Sequence, residues 1–249
     1  NGEAAAVLGG TLVYGGTSKG AINAGNAYTI IPSGLTSNNY TLQFTNGTLS
    51  ITKATLTVKA NDDNKNYTGI GYATNNGVTY TGFVNNETSA VLGGSLVYGG
   101  TSQGAINAGN AYTIIPSGLT SNNYTLQFTD GTLSITKATL TVKANDDSKT
   151  YTGVGYSTGN GVTYTGFVNN ETSTVLGGTL VYGGTSQGAI NVGNAYTIIP
   201  SGITSNNYAL EFTAGTLSIT KTTLTVKAND DNKTYTGVGY STGNGVTYT

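Results

Sequence analysis

The chain has 249 residues, and its composition removes whole classes of function. It contains no Cys and no His, which excludes disulfides, thiolate nucleophiles, Cys/His metal sites and a Ser–His–Asp triad. All ten basic residues are Lys, only 8% of residues are charged and the net charge is −1, which argues against binding to nucleic acid or to an anionic membrane. No apolar run is long enough to span a bilayer, so no membrane insertion is expected. The remaining Gly, Thr, Asn, Tyr and β-branched residues predict an all-β protein that is not an enzyme.

The sequence repeats itself at equal intervals. The segment Val-Leu-Gly-Gly-x-Leu-Val-Tyr-Gly-Gly begins at Val7, Val91 and Val175, which gives a unit of about 84 residues, the size of a small self-contained domain. We expect a C-terminal part of a unit, two complete units and an N-terminal part of a unit, at 1–52, 53–136, 137–220 and 221–249. Joining segment 221–249 to segment 1–52 would rebuild a unit that lacks only Gly-Phe-Val. We interpret the chain as an excerpt from a longer array.

A change of alternation marks the boundary between units. Apolar side chains occupy odd positions at Leu133 and Ile135 but even positions at Leu140, Val142 and Ala144. A change of parity moves the buried face of a strand to the opposite side, so one unit should end and the next begin at Lys137-Ala138. No Gly-, Pro- or Ser-rich linker separates them, and we expect stiffly aligned domains that form an elongated rod.

Each unit is predicted to contain about seven strands. In the second copy these are 55–60, 70–74, 77–83, 95–98, 111–115, 124–129 and 131–136. Asp130-Gly131 predicts a two-residue hairpin between the last two strands, although the third copy has the weaker Ala214-Gly215. Pro116, like Pro32 and Pro200, should close a strand or lie at a sheet edge. The residues after Gly-Phe-Val fit either a loop or one short helical turn capped by Asn85 or Asn86.

A polar segment with paired acids follows the first strand of each unit. Asn61-Asp-Asp-Asn-Lys65 recurs at 145–149 and 229–233, and side-chain oxygens of this kind are ligands that Ca²⁺ prefers. The candidate ligands are Asp62, Asp63, Asp146, Asp147, Asp230 and Asp231. The spacing does not match an EF-hand loop, and a polar turn explains the same residues. We therefore predict no cofactor and no dedicated metal site, with Ca²⁺ as the alternative.

Tyrosines and a single acid complete the distinctive residues of each unit. Tyr98, Tyr112 and Tyr124 fit packing at the rim of a core, with hydroxyls that reach polar partners. The alternative is a platform for stacking on glycans. Glu87 fits a surface helix cap, although a stalk cross-link between Lys and Asn would also need an acid.

Each complete unit contains, in this order, the blocks Leu-Thr-Val-Lys-Ala-Asn-Asp, Gly-Val-Thr-Tyr-Thr-Gly-Phe-Val-Asn-x-Glu, Leu-Gly-Gly-x-Leu-x-Tyr-Gly-Gly and Gly-Thr-Leu-x-Ile-x-Lys. They resemble the MBG/YDG-type tandem repeats of large bacterial surface adhesins and filamentous-haemagglutinin-like exoproteins. The chain has Tyr-Thr-Gly, as at 67–69, where that family often has Tyr-Asp-Gly. The resemblance implies small, mostly β domains of a β-grasp-like kind with a short helix at 85–91, and it carries over no catalytic residue.

The favoured interpretation is a stalk, spacer or fibre region of a bacterial extracellular adhesin or surface filament. The alternative is a set of weak glycan- or surface-binding modules that act by avidity. The expected partners are neighbouring repeats, other copies of the chain in a filament, and a host or neighbouring cell contacted through a separate tip. The expected location is the cell surface or the extracellular space.

Overall fold

The computed structural model describes residues 7–249, and the chain divides into two compact units. Unit 1 comprises Asn1–Asn66 and Ile70–Thr136, and unit 2 comprises Tyr67–Gly69 and Lys137–Thr249. Apart from the short segment 67–69, the division falls between Thr136 and Lys137, where the apolar alternation changes parity. No helix in residues 7–249 has the length and apolar character needed to cross a membrane.

The described residues form strands joined by turns, so the all-β prediction is confirmed. Unit 1 contains β1 (Gly9–Gly15), β2 (Gly25–Thr36), β3 (Gly47–Ile51), β4 (Ala54–Ala60), β5 (Asp63–Asn66), β6 (Val78–Thr81), β7 (Gly93–Gly99), β8 (Gly109–Thr120), β9 (Tyr124–Thr129) and β10 (Gly131–Thr136). Unit 2 contains β11 (Ala138–Ala144), β12 (Asp147–Thr150), β13 (Val162–Thr165), β14 (Gly177–Gly183), β15 (Gly193–Thr204), β16 (Tyr208–Thr213), β17 (Gly215–Thr220), β18 (Val226–Ala228) and β19 (Val246–Tyr248).

Each complete repeat is built from two sheets. In unit 1 a three-stranded sheet has the order β6-β4-β9 and a four-stranded sheet the order β5-β10-β8-β7. The pairs β4/β9 and β5/β10 are parallel, and the other pairs are antiparallel. Unit 2 repeats this plan as β13-β11-β16 and β12-β17-β15-β14. The flanking segments form the sheets β1-β2-β3 and β18-β19.

The core of a repeat contains side chains from β4, the first strand of the repeat, and from β8 and β10 of the other sheet. Leu56 and Val58 on β4, Leu133 and Ile135 on β10, and Ile114 on β8 are almost completely buried. These β-branched and leucyl side chains alternate with exposed or half-buried residues, so each strand presents one apolar face to the interior. Burying such side chains is the main favourable contribution to folding, roughly 1.5–3 kcal/mol each.

The change of parity between consecutive repeats is confirmed. On β10 the buried leucine and isoleucine are Leu133 and Ile135, whereas on β11 the buried positions are Leu140, Val142 and Ala144. One residue separates these two strands in the sequence. The chain therefore reverses its buried face without a loop.

The predicted hairpin at Asp130-Gly131 is wrong. β9 pairs with β4, whereas β10 pairs with β8 and β5, so the two consecutive strands belong to different sheets. A Cβ on Gly131 would lie 2.7 Å from the carbonyl oxygen of Ala60. The glycine is needed because the chain passes close to another backbone as it changes sheets, and not for a type I′ turn.

The predicted strand end at Pro116 is also wrong. β8 continues through Pro116 to Thr120, with Pro116 opposite Tyr98 of β7. Its pairing with β10 stops at Ile114, so Pro116 has a hydrogen-bonded neighbour strand on one side only. The missing N–H of proline is tolerated there, which agrees with the predicted sheet edge.

Two shorter segments differ from their predictions. Residues 70–74 are not a strand, and the polar residues Asp63–Asn66 form one instead, as β5. The predicted helical turn is confirmed as the 3₁₀ turn Ser89–Val91, but Thr88 caps it by accepting from the Ala90 N–H at 3.4 Å. Asn85 and its neighbour have positive φ angles and lie before the turn.

Candidate functional site

In the complete repeats the paired acids lie at the start of β5 and of β12. Asp62 Oδ1 accepts from the Thr132 N–H at 2.8 Å and from Thr132 Oγ1 at 3.0 Å. These two donors lower the pKa of Asp62, the backbone N–H contributing most. Asp146 makes the same pair of contacts with Thr216, and its pKa is lowered for the same reason. In each repeat this acid therefore fastens the start of the domain to its last strand.

The second acid of each pair holds a buried tyrosine. Asp63 Oδ1 accepts from the Asn64 N–H, and Asp63 Oδ2 accepts from the Tyr72 hydroxyl at 2.7 Å. In unit 2, Asp147 Oδ2 accepts from Tyr156 at 2.8 Å. Burial raises the pKa of Tyr156 to about 12, helped by the neighbouring carboxylate.

The last pair of acids lies in an exposed segment and makes similar local contacts. The Asp230 carbonyl accepts from Asn244 Nδ2 at 3.2 Å, and Asp231 Oδ2 accepts from the Tyr240 hydroxyl at 2.5 Å. Within residues 7–249 no three His, Cys, Asp or Glu side chains gather in a way that could hold a metal ion. Ca²⁺ binding stays a prediction. The six candidate carboxylates are not brought together in a geometry that supports it.

Unit 2 contains a polar cluster that the sequence analysis did not predict. It comprises Tyr67, Asn169, Glu171 and Tyr208, and we call it the Tyr–Glu cluster. Glu171 Oε1 accepts from the Tyr67 hydroxyl at 2.6 Å, and Glu171 Oε2 accepts from the Tyr208 hydroxyl at 2.5 Å. The two rings meet edge to face with centroids 5.4 Å apart. One carboxylate thus joins two buried phenols.

The backbone conformation of the Tyr–Glu cluster also restricts which residues fit there. Asn169 has a φ of +50° and its Nδ2 donates to the Gly69 carbonyl at 3.0 Å. Gly69 has a φ of +69°, and a Cβ there would lie 2.8 Å from Asn169 Cβ. Only glycine fits this position, since it needs a left-handed backbone and a close neighbour at once. The last residue of the Tyr-Thr-Gly segment is therefore fixed by packing.

Burial and charge both act on the tyrosines of the Tyr–Glu cluster. Burial raises the pKa of Tyr67 to about 12, and the adjacent Glu171 carboxylate adds to the effect. Burial and the same carboxylate raise the pKa of Tyr208, while the Val168 N–H bonded to its oxygen lowers it. The neutral phenols are favoured, so they act as hydrogen-bond donors and not as bases.

The sequence comparisons agree with the repeated architecture. The family described as MBG domain (YGX type) matches residues 56–134 and 140–218, more than half of the chain. The chain belongs to this MBG domain family. The suspected resemblance is thus confirmed, and each matched stretch lies within one predicted complete repeat. No curated protein matches the chain.

The MBG repeat in unit 1 carries the same acid and tyrosine. Glu87 Oε2 accepts from the Tyr124 hydroxyl, and Tyr124 Oη also accepts from the Val84 N–H at 3.1 Å. Phe83 packs edge to face on Tyr124, with centroids 5.6 Å apart. The expected helix-cap role of Glu87 is wrong, because the 3₁₀ turn has no acidic residue in its first turn. A sequence signal existed, since the Glu and the Tyr recur at equivalent positions of both complete repeats.

A seam in unit 1 joins residues 7–52 to the following MBG repeat. The Ala24 N–H donates to Asn123 Oδ1 at 3.0 Å, and Asn123 Nδ2 donates to Asn23 Oδ1 at 3.0 Å. Lys53 lies where the two parts of the chain join, and its Nζ donates to the Ser121 carbonyl at 2.9 Å. The asparagine side chain acts as donor and acceptor at once, which fixes its orientation across the seam.

The tyrosines predicted to pack at the rim of a core are buried or half-buried, and Tyr124 and Tyr112 have polar partners. Tyr124 is buried, and the half-buried Tyr112 donates to the Asn107 carbonyl at 2.9 Å. Tyr98 is half-buried, and burial raises its pKa. These contacts agree with the core-rim interpretation. Glycan stacking stays a prediction.

Proposed function

We propose that these MBG repeats form a non-enzymatic spacer, stalk or fibre region of a bacterial extracellular adhesin or surface filament. The parallel pairing of the first two strands of a repeat with its last two strands carries this proposal. In unit 1, β4 runs parallel to β9, and β5 runs parallel to β10, the last strand of the repeat. A pull on the two ends of such a repeat slides neighbouring strands past one another and loads many hydrogen bonds together.

The connections between successive segments support the same role. Two residues separate β3 from β4, and one residue separates β10 from β11. The seam at Asn123 adds hydrogen bonds where residues 7–52 meet the next repeat. Short connections with side-chain contacts transmit tension without first unravelling a linker.

Single-molecule force spectroscopy on the full chain tests this proposal. Pulling from the two ends should give two discrete unfolding events, each releasing up to about 300 Å, the length of one repeat at full extension. Because the chain has no Cys, a control can use engineered handles at Leu92 and Ser121, which flank the β7/β8 pair. That geometry peels antiparallel strands apart and should need a lower force. Featureless extension from the chain ends would overturn the spacer role.

We keep weak glycan binding by avidity as a second candidate because unit 1 contains an open polar cleft. Its volume is about 710 Å³, and its lining includes Asn23, Lys53, Leu92 and Asn123. Amide and ammonium groups of this kind can bond sugar hydroxyls. Binding on a glycan array that is lost in Asn123→Ala and kept in Asn39→Ala would favour this role over the spacer role.

A further inference from the structure

The segment Tyr67–Gly69, which we call the latch, lies in one repeat by sequence and in another by packing. It falls inside the first match to the MBG family, residues 56–134. Its contacts place it in unit 2, whereas the residues before it, to Asn66, and after it, from Ile70, belong to unit 1. The chain therefore leaves unit 1 for this short segment and then returns to it. An excursion of this kind needs contacts that hold it, and the Tyr–Glu cluster supplies them.

The surface that holds the latch is fixed by unit 2 itself. The Glu171 N–H donates to the Val168 carbonyl at 2.9 Å, and the Val168 N–H donates to the Tyr208 hydroxyl at 3.1 Å. Phe167 packs edge to face on Tyr208, with centroids 5.5 Å apart. None of these contacts involves the latch, so the carboxylate and the ring are held in place by their own repeat. We call Asn169, Glu171 and Tyr208 the acceptor.

The acceptor contacts the first and third residues of the latch. Tyr67 is 4% exposed, and its hydroxyl donates to Glu171. The Gly69 carbonyl accepts from Asn169, whose Cβ leaves no space for a side chain on the glycine. Thr68 is exposed, and its side chain has no hydrogen-bond partner among residues 7–249. The acceptor thus distinguishes tyrosine and glycine from other residues and leaves the middle position free.

The latch has its bound backbone conformation without help from the acceptor. Gly69 has a φ of +69°, and Gly153, the last residue of the next Tyr-Thr-Gly, has a φ of +74°. Gly153 has no atom within 4 Å of the position of a Cβ, so close neighbours do not impose this conformation. Because the left-handed backbone belongs to the segment itself, little ordering is needed when the latch binds.

We propose that the acceptor is a recognition site for a Tyr-x-Gly segment of the preceding repeat, and that binding of the latch couples the stability of unit 1 to that of unit 2. The coupling follows from chain connectivity, because the latch is continuous with unit 1 at both ends. In an array of repeats this is a nearest-neighbour interaction, which favours the folding of adjacent repeats together. The proposal does not depend on the spacer role.

β5 is the element of unit 1 that should respond to the latch. It ends at Asn66, directly before Tyr67, and pairs in parallel with β10. On the other side of the latch, Tyr72 donates to Asp63 at the start of β5. The latch therefore lies between two anchored points of unit 1. Glu171 bonds to neither Asp63 nor Tyr72, so an effect of Glu171 on β5 is transmitted by the latch.

Hydrogen exchange followed by mass spectrometry on the full chain tests the coupling. Glu171→Gln leaves one acceptor oxygen for two hydroxyls, so amide exchange across residues 63–72 should rise at least about fivefold. Glu211→Gln is the matched control, because it removes the same charge from an exposed position of unit 2 and introduces the residue type found at Gln127. It should leave exchange at residues 63–72 unchanged. Unchanged exchange there in Glu171→Gln, or an equal rise in both variants, would overturn the proposal.

Variants of the latch test which of its positions the acceptor recognises. Gly69→Ala should raise amide exchange in the acceptor loop, residues 167–171, at least about fivefold, since its Cβ would lie 2.8 Å from Asn169 Cβ. Gly153→Ala is the matched control, because it has the same left-handed strain in open space, and it should leave that loop unchanged. Thr68→Gln should also leave the loop unchanged. Raised exchange at residues 167–171 in Thr68→Gln, or equal effects of the two alanine variants, would refute recognition of Tyr-x-Gly.

Discussion

Single side chains in these repeats act mainly by holding strands and turns in place. Glu171 receives hydroxyl donors from Tyr67 and Tyr208, and Asp63 receives one from Tyr72. In both cases a carboxylate accepts a hydrogen bond from at least one buried tyrosine hydroxyl, in a protein with few charged residues. Removing one partner leaves the other without its hydrogen bond, which costs more than the bond itself contributes.

Tyr67→Phe is expected to lower the free energy of unfolding by about 1–2 kcal/mol, since Glu171 loses a donor in a partly buried site. Tyr151→Phe is the matched control. It is the equivalent tyrosine in the following repeat, is 40% exposed, and has no hydroxyl bond among residues 7–249. Urea unfolding of both variants measures the difference. An equal loss of unfolding free energy in the two would show that the hydrogen bond to Glu171 does not add to stability.

Alkaline pH should destabilise the repeats through their buried tyrosines. The pKa values of Tyr67 and Tyr156 are raised to about 12 from the usual value of 10, because burial and nearby carboxylates favour the neutral phenol. The folded state therefore holds protons that the unfolded state releases. This contribution is complete below pH 10 and is lost as the pH rises from 10 to 12.

Urea midpoints measured from pH 9 to pH 12 check this prediction. The midpoint should fall across that range, and Tyr156→Phe should fall less steeply than the natural sequence. A midpoint that stays constant to pH 12 would mean that these phenols titrate alike in the folded and unfolded states.

At the scale of elements, local patterns predicted the strands better than their partners. Alternation located six of the seven strands of a repeat and the change of face near Lys137. It missed β5, whose polar residues Asp63–Asn66 form a strand because β10 lies alongside. The parallel pairs join residues far apart in the sequence, such as Ala54 and Tyr124, and no local signal specifies them.

The Tyr–Glu cluster was missed for a similar reason. The Glu and both tyrosines are visible in the sequence, but Tyr67 and Glu171 are 104 residues apart. Only the folded chain shows that one carboxylate serves two phenols. At Asp130-Gly131 the local sequence predicted a hairpin that does not form. The two strands that flank this dipeptide pair with strands distant in the sequence instead.

Gly131→Ala is expected to destabilise unit 1 by about 1–3 kcal/mol, because its Cβ would press on the Ala60 and Asn61 carbonyls at 2.7 and 2.9 Å. Gly99→Ala on β7 is the control, since no atom lies within 4 Å of its Cβ position. The third copy agrees with this reason: it keeps Gly215 but replaces the preceding Asp with Ala214. Thermal unfolding of the two variants should separate them, and equal stability would contradict the explanation by close approach of the two backbones.

At the scale of the whole molecule, short connections and side-chain seams tie successive segments of the chain together. Asn123 links residues 7–52 to the next repeat, and the Tyr–Glu cluster ties Tyr67–Gly69 into unit 2. A spacer needs this kind of continuity, because flexible joints would let an attached tip fold back. The spacer proposal therefore requires that the chain be long and stiff in solution.

Small-angle X-ray scattering on the full chain, extrapolated to zero concentration, tests that requirement most directly. A compact protein of 249 residues has a radius of gyration of about 18 Å, whereas the same length laid out as a row of 84-residue repeats, each about 30 Å long, gives about 27 Å and a rod-like profile. We predict the larger value, unchanged by Ca²⁺ or by chelator. The compact value, or a rod that appears only with Ca²⁺, would contradict the spacer proposal.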